Sequence, residues 1–116
     1  MSVGLHIELE EIDQKIILRI EGRLDAMASP VLERKIGALI DENRLSLLLD
    51  FTRVSYLSSA GMRVLLSASK KLKAKKGSMV LFSLQEEVEE ILKMAGFDKI
   101  LHICPSEKEA LHFHHK

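Results

Sequence analysis

Two adjacent hydroxyls, Ser58 and Ser59, precede Ala60 and Gly61 where an apolar run gives way to helical spacing. A helix start leaves its first backbone N–H groups without partners, and such a place favours a hydroxyl or an anion. The chemistry on offer is capping by one serine, modification of a serine, or both. Gly61 has no side chain, so another backbone can approach closely on that side. In the plainer reading one serine is the N-cap and the glycine relieves crowding against a sheet. Other groups offer less. His102 and Cys104 lie two apart on one expected strand, the spacing of a Cys/His nucleophile pair, but no third orienting group accompanies them. A cysteine in a strand is ordinarily core. His112, His114 and His115 are a possible metal grip, or simply a frayed, solvated helix end. Arg23 is suited to steering an acidic partner, to holding a phosphate, or to a plain surface role. Met27, Met62, Met79 and Met94 read mostly as core or rim filler, with a soft contact for a partner as the alternative for Met62, next to Gly61.

The elements that position these groups follow from periodicity. Leu5, Ile7 and Leu9 alternate with His6, Glu8 and Glu10, which predicts a strand with one buried face. Asp13-Gln14 is a turn, and Lys15–Glu21 a second strand that pairs with the first as a hairpin. Gly22-Arg23-Leu24-Asp25 interrupts the pattern. Ser29-Pro30 reads as an N-cap with proline at the first helical position, opening a helix to about Ile40. Leu45–Phe51 is a strand covered on both faces, and Thr52–Leu57 a linker. A helix follows from Ser58 and Ser59 until Gly77; its late lysines Lys70, Lys71, Lys73, Lys75 and Lys76 suit the dipole and a solvated face. Met79–Phe82 is a strand, and Ser83 with Glu86 has capping-box spacing for a helix through about Met94. Lys99–Cys104 is a last strand, and Ser106 with Glu109 caps a last helix. The order β-β-α-β-α-β-α-β-α predicts an α/β fold with a mixed sheet: an antiparallel hairpin, then parallel βα units, covered by about four helices. Loops after parallel strands share one rim, so Arg23–Asp25, Tyr56–Gly61 and Ser83–Gln85 are expected together there.

Composition narrows the function. A chain of 116 residues fits one domain, 1–116, and its 47% apolar content supplies a core. Lys+Arg and Asp+Glu are equal at 17 each, which removes any global attraction to nucleic acid. No tryptophan is present to stack a base. No signal peptide or membrane-length apolar run is visible, and the single cysteine suits a reducing compartment, so a cytoplasmic setting is expected. No G-x-S-x-G elbow, P-loop or metal-ligand cluster appears, and the expectation is a binding module rather than an enzyme, with no cofactor and no metal.

The chain as a whole resembles the STAS domain, and within that family the stand-alone bacterial anti-sigma factor antagonists. Gly22-Arg23-Leu24-Asp25 is similar to the family's G-x-L-D turn after the second strand. Asp50–Met62, DFTRVSYLSSAGM, is similar to the signature D-(L/F)-x-x-V-x-(Y/F)-(I/L/M)-(D/S)-S-(S/A)-G-(L/M). Ser83–Ala110, with Ala95-Gly96-Phe97-Asp98-Lys99, is similar to the closing helix–strand–helix. The resemblance implies a STAS-type sheet and a phosphorylation switch. In the family the serine two before the glycine is phosphorylated by a kinase that is also the anti-sigma factor, and a phosphoserine phosphatase reverses this. The unphosphorylated antagonist binds the anti-sigma factor and releases the sigma factor. That serine is Ser59 here. Ser58 is the alternative, because many relatives carry Asp at its position. The implied partner-binding surface comprises Arg23, Leu24, Asp25, Ser58, Ser59, Ala60, Gly61 and Met62, with neither nucleic acid nor membrane as partner and a monomer or weak dimer as the state. Two rival roles share this fold: a scaffold subunit of a stress-sensing assembly, and a module sensing a small ligand or nucleotide.

Overall fold

The structure, a computed structural model, describes residues 4–113. Strands β1 (Leu5–Ile12) and β2 (Lys15–Leu24) form the hairpin, and α1 (Ser29–Asp41) leads to β3 (Ser46–Leu57). Then follow α2 (Ser59–Ala74), β4 (Ser78–Phe82), α3 (Glu86–Met94), a 3-10 turn at Phe97–Lys99, β5 (His102–Cys104) and α4 (Glu107–Leu111). The five strands lie in sequence order, β1-β2-β3-β4-β5; β1 runs antiparallel to β2 and every later pair is parallel. This is the mixed sheet and the four helices that the sequence predicts.

Alternation along β2 divides the sheet's two sides. Ile16, Leu18, Ile20 and Leu24 join the main core, with Leu32 and Ile36 of α1, Leu65 and Leu72 of α2, and Val88 and Leu92 of α3. Ile17 points the other way, into a smaller cluster with Leu48, Val80, Phe82 and Ala110 of α4. Among the described residues, three helices therefore cover one face, and the short α4 covers part of the other.

Several boundaries differ from the sequence reading, each for a local reason. Thr52–Leu57 is strand, not linker. Twice, β3 sets an extra residue against β2: Asp50–Arg53 faces Arg19–Glu21, and Val54–Tyr56 faces Gly22–Arg23. Such bulges spoil the two-residue alternation, and the buried positions become Phe51, Val54 and Leu57. β2 likewise continues through Gly22, whose φ of 126° and closeness to the Gly4 carbonyl (2.0 Å from an added Cβ) leave room for glycine alone. Ser29 is not a cap; Asp25 does that work, as described below. Ser83 does not cap α3 either: its backbone is left-handed (φ 57°) and Gln85 is the N-cap residue. Ser106 caps α4 as expected, its Oγ accepting from the Glu109 N–H at 3.3 Å. The segment before β5 folds as the 3-10 turn, so the strand keeps only His102–Cys104.

A helix of five residues is too short to stand alone, and α4 is tied to the sheet by charge as well as by Ala110. Arg19 of β2 donates to Glu107 of α4 (Nη1 to Oε1, 2.8 Å), to Asp50 of β3 (3.0 Å) and to Glu10 of β1 (Nη2, 2.9 Å). Lys15 Nζ adds a bond to the Leu111 carbonyl at 2.7 Å. The hydrogen bond to Glu107, then those to Glu10 and Asp50, hold the Arg19 proton more tightly than usual against the opposing effect of burial. Burial works against the Asp50 charge, but the Thr52 hydroxyl and N–H, and then Arg19, outweigh it and hold its carboxyl below the ordinary range. The stability this gives is complete above the unfolded carboxylate pKa of about 4 and is lost as pH falls through the lower folded value. Asp50→Asn should therefore flatten the stability–pH curve on the acid side, measured by urea unfolding between about pH 2 and pH 5. Arg19→Gln leaves three carboxylates facing one another on a partly solvated surface, and an expected loss of about 1–2 kcal/mol at neutral pH, shrinking in high salt, checks the tie.

Candidate functional site

The rim where β2 and β3 end is built on one carbonyl. Ser58 follows the last residue of β3 with extended backbone (φ −87°, ψ 170°), and its N–H and Oγ–H both donate to the Leu24 carbonyl, at 2.9 and 2.8 Å. The same Oγ accepts from the Gly61 N–H at 3.1 Å. Ser58 is thus the N-cap of α2 and the clasp between the ends of two strands. Gly61 is buried, and an added Cβ would stand 2.8 Å from Leu57 Cδ1 and 3.0 Å from the Leu24 oxygen. Its missing side chain lets the helix sit on the strand ends. The close approach is internal to the fold, not one made by a partner.

Ser59 is the first residue of α2 and is exposed, and its hydroxyl makes no hydrogen bond to the other described residues. The two serines therefore differ in kind. One has its proton and a lone pair engaged; the other is open to solvent. Among the remaining predicted surface residues, Arg23 is exposed, Asp25, Ala60 and Met62 are half-buried, and Leu24 is wholly buried in the core. Leu24 and Gly61 thus support the surface from beneath and do not belong to it.

Asp25 opens the path into α1. Its Oδ1 accepts from the Ala28 N–H at 2.9 Å, and its carbonyl accepts from the N–H and Oγ–H of buried Ser29 at 3.0 and 2.7 Å. This is an aspartate cap placed one turn ahead of the serine that the sequence suggested. The turn it shapes lifts Met27 into solvent, 61% exposed, on the same rim. Arg23 lies against the Tyr56 ring, 4.3 Å from its centroid, an arrangement set by the pairing of these two residues across β2 and β3. Met27, read from sequence as core or rim filler, is an exposed rim residue. Arg23 and Tyr56, expected on one rim, are direct cross-strand partners, a register that the bulges in β3 conceal. Ser83–Gln85 lies elsewhere. β4 ends level with Asp50, and Gln85 Nε2 donates to the Thr52 carbonyl at 3.0 Å, while β3 runs on to Leu57.

The weaker candidates resolve simply. The Cys104 thiol packs against the small cluster, and burial, with Glu109 adding, pushes its pKa up, away from thiolate chemistry. The His102 ring packs on Phe113 at 4.7 Å. His112 is the C-cap residue of α4, while His114 and His115 lie outside the described residues. No group of three metal-binding side chains occurs among the described residues, and no helix there is long and apolar enough to cross a membrane.

The sequence model of the STAS domain matches residues 6–110. The chain belongs to the STAS family. Two relatives are matched across nearly all of this STAS chain. BtrV of Bordetella bronchiseptica is 30% identical over 106 residues, 91% of each chain. The anti-sigma-B factor antagonist of Listeria monocytogenes is 28% identical over 109 residues, 94% of this chain and 95% of its own. Among solved STAS folds, the anti-sigma factor antagonist SpoIIAA in its unphosphorylated form superposes with a TM-score of 0.78 at 23% identity, covering 91% of this chain and 93% of that one. The phosphorylated form of SpoIIAA, the Bacillus cell fate determinant, gives 0.71 at 22%, covering 92% and 97%.

The division of labour in this STAS rim is testable by stability alone. Ser58→Ala removes the clasp and should cost about 1–2 kcal/mol, whereas Ser59→Ala should be nearly neutral. Gly61→Ala gains helix propensity, about 1 kcal/mol, but presses a methyl onto a fixed carbonyl. A net loss of about 1–3 kcal/mol is expected, read as a lower urea midpoint with unchanged slope.

Proposed function

We propose that the chain is an anti-sigma factor antagonist whose grip on its partner is released by phosphorylation of Ser59. One observation carries the reading: an engaged hydroxyl and an open one stand side by side at a helix start, in a chain matched along its length by anti-sigma factor antagonists. The partner is an anti-sigma factor that is also a serine kinase, a phosphatase resets the switch, and the setting is the bacterial cytoplasm. The chain supplies no catalytic group; it is the acceptor. Attack by Ser59 Oγ on the γ-phosphorus of ATP forms the new P–O bond as ADP leaves, and the hydroxyl proton passes to a base on the kinase. Ser58 would first have to surrender its bond to Leu24 and its cap on Gly61.

The phosphate suits its own domain. It adds about −1.5 to −2 charges at a helix N-terminus, favourable by about 0.3–1 kcal/mol at an exposed site. Ser59–Ala74 contains no acidic residue, and exposed Arg63 stands four residues on, on the same helix face. The penalty therefore falls on the complex, where a hydrated dianion would have to be desolvated against the partner. A penalty of about 4 kcal/mol corresponds to roughly a thousandfold in affinity.

Incubation with the anti-sigma factor of the source genome and ATP, followed by intact mass and site mapping, tests this. A single phosphate on Ser59 is expected, absent from Ser59→Ala and retained in Ser58→Ala, with at least a hundredfold loss of partner affinity. Phosphate on Ser58, or binding undiminished by phosphorylation, would contradict it.

A further inference from the structure

The rim does not end at the helix start. Leu24 and Leu57 pair across β2 and β3 and point into the main core, so their neighbours Arg23 and Tyr56 stand on the opposite sheet face. The small cluster beneath α4 gathers around Ile17, Leu48, Val80 and Phe82, toward the other end of the strands. Arg23 and Tyr56 are both exposed, and each is a residue or two from the Leu24–Ser58 clasp.

Arg23, like Arg34 and Arg63 on the helices, makes no ion pair among the described residues, whereas the other arginines do. Arg19 faces Glu10, Asp50 and Glu107, Arg44 pairs with Glu11, and Arg53 lies 3.8 Å from Glu21. The carboxylates closest to Arg23 in sequence are thus turned to other groups: Glu21 to Arg53, and Asp25 to the Ala28 N–H. The Arg23 guanidinium carbon lies 4.3 Å over the centroid of the Tyr56 ring, a cation–π contact that restrains the side chain while Arg23 stays exposed. A planar fork fixed in this way has less freedom to lose on binding, and it matches a carboxylate through two parallel hydrogen bonds.

We propose that the docking surface continues over the rim onto the open sheet face, where Arg23, steadied by Tyr56, receives a carboxylate of the anti-sigma partner. This rests on the functional reading above and gives it a specific contact: the group Arg23 receives and the ring that positions it. Arg23 makes the contact; Tyr56 positions it. The arrangement separates two jobs: Ser59 decides whether the partner binds, and Arg23 helps decide which partner binds, because a partner without an acid at that point gains nothing from the stack.

Calorimetric titration of the unphosphorylated protein with the anti-sigma factor of the source genome, at low and high salt, tests the assignment. Arg23→Gln should weaken binding about tenfold or more and flatten the salt dependence, while the melting temperature holds. Arg23→Lys, keeping the charge without the fork, should fall between. Tyr56→Leu should weaken binding severalfold, and Tyr56→Phe should recover most of that loss. A parent that binds and an Arg23→Gln variant that binds within twofold of it would overturn the inference alone. So would an Arg23→Gln effect confined to the protein phosphorylated on Ser59, which would assign the fork to the chain's own phosphate. A parent that does not bind would overturn the functional reading and this inference with it.

Discussion

The rim is organised by the carbonyl oxygen of Leu24. It receives two hydrogen bonds from Ser58, and Ser58 in turn caps α2 through the Gly61 N–H. The end of β2, the end of β3 and the start of α2 are thereby fixed to one another in a space that Gly61 alone can share. A buried carbonyl held by a side chain that also caps a helix is a satisfied polar network, and such networks resist rearrangement. Ser59 inherits its position from this arrangement. It is presented to solvent on a rigid base, its hydroxyl without a hydrogen bond to the other described residues.

The two faces of the sheet serve different ends. The side under α1, α2 and α3 holds nearly all the large buried side chains and supplies the stability. The other side is only partly roofed, and α4 stays on it through Arg19 and its three carboxylates. That leaves the upper end of β2 and β3 uncovered, beside the reactive rim. A phosphate placed there meets a helix start, with Arg63 one turn on along α2 in its own chain. Under the proposed switch the fold would carry either state of Ser59 without changing shape, and the difference would be felt by the partner.

Periodicity disclosed the element order, the hairpin and the helix faces because Leu5–Leu9, Leu32–Leu39 and Gly61–Leu72 repeat with the spacing of their structures. It failed at Thr52–Leu57. Two bulges replace alternation with a three-residue spacing of Phe51, Val54 and Leu57, which reads as no structure at all. The same bulges set Arg23 opposite Tyr56, so the stack was hidden with them. Capping signals were mixed: Ser58 and Ser106 cap, whereas Ser29 and Ser83 do not, because Asp25 begins the turn into α1 early and Ser83 adopts left-handed backbone. Spacing could mark two adjacent serines as special. The resemblance favours Ser59, and the Leu24 carbonyl, brought in from 34 residues away, supplies the physical difference between the two hydroxyls.

In the proposed switch, phosphorylation acts at the interface and leaves the fold as it is. Amide hydrogen exchange, followed by NMR on the protein with phosphoserine installed at position 59 and on its unmodified parent, tests this most directly. Equal protection of the Gly61 and Ser58 amides is expected in both forms, with shift changes confined to the first turn of α2 and the adjoining rim. Faster exchange at Gly61, or shift changes spreading along β2 and β3, would show that the phosphate opens the clasp, and the switch would then be conformational.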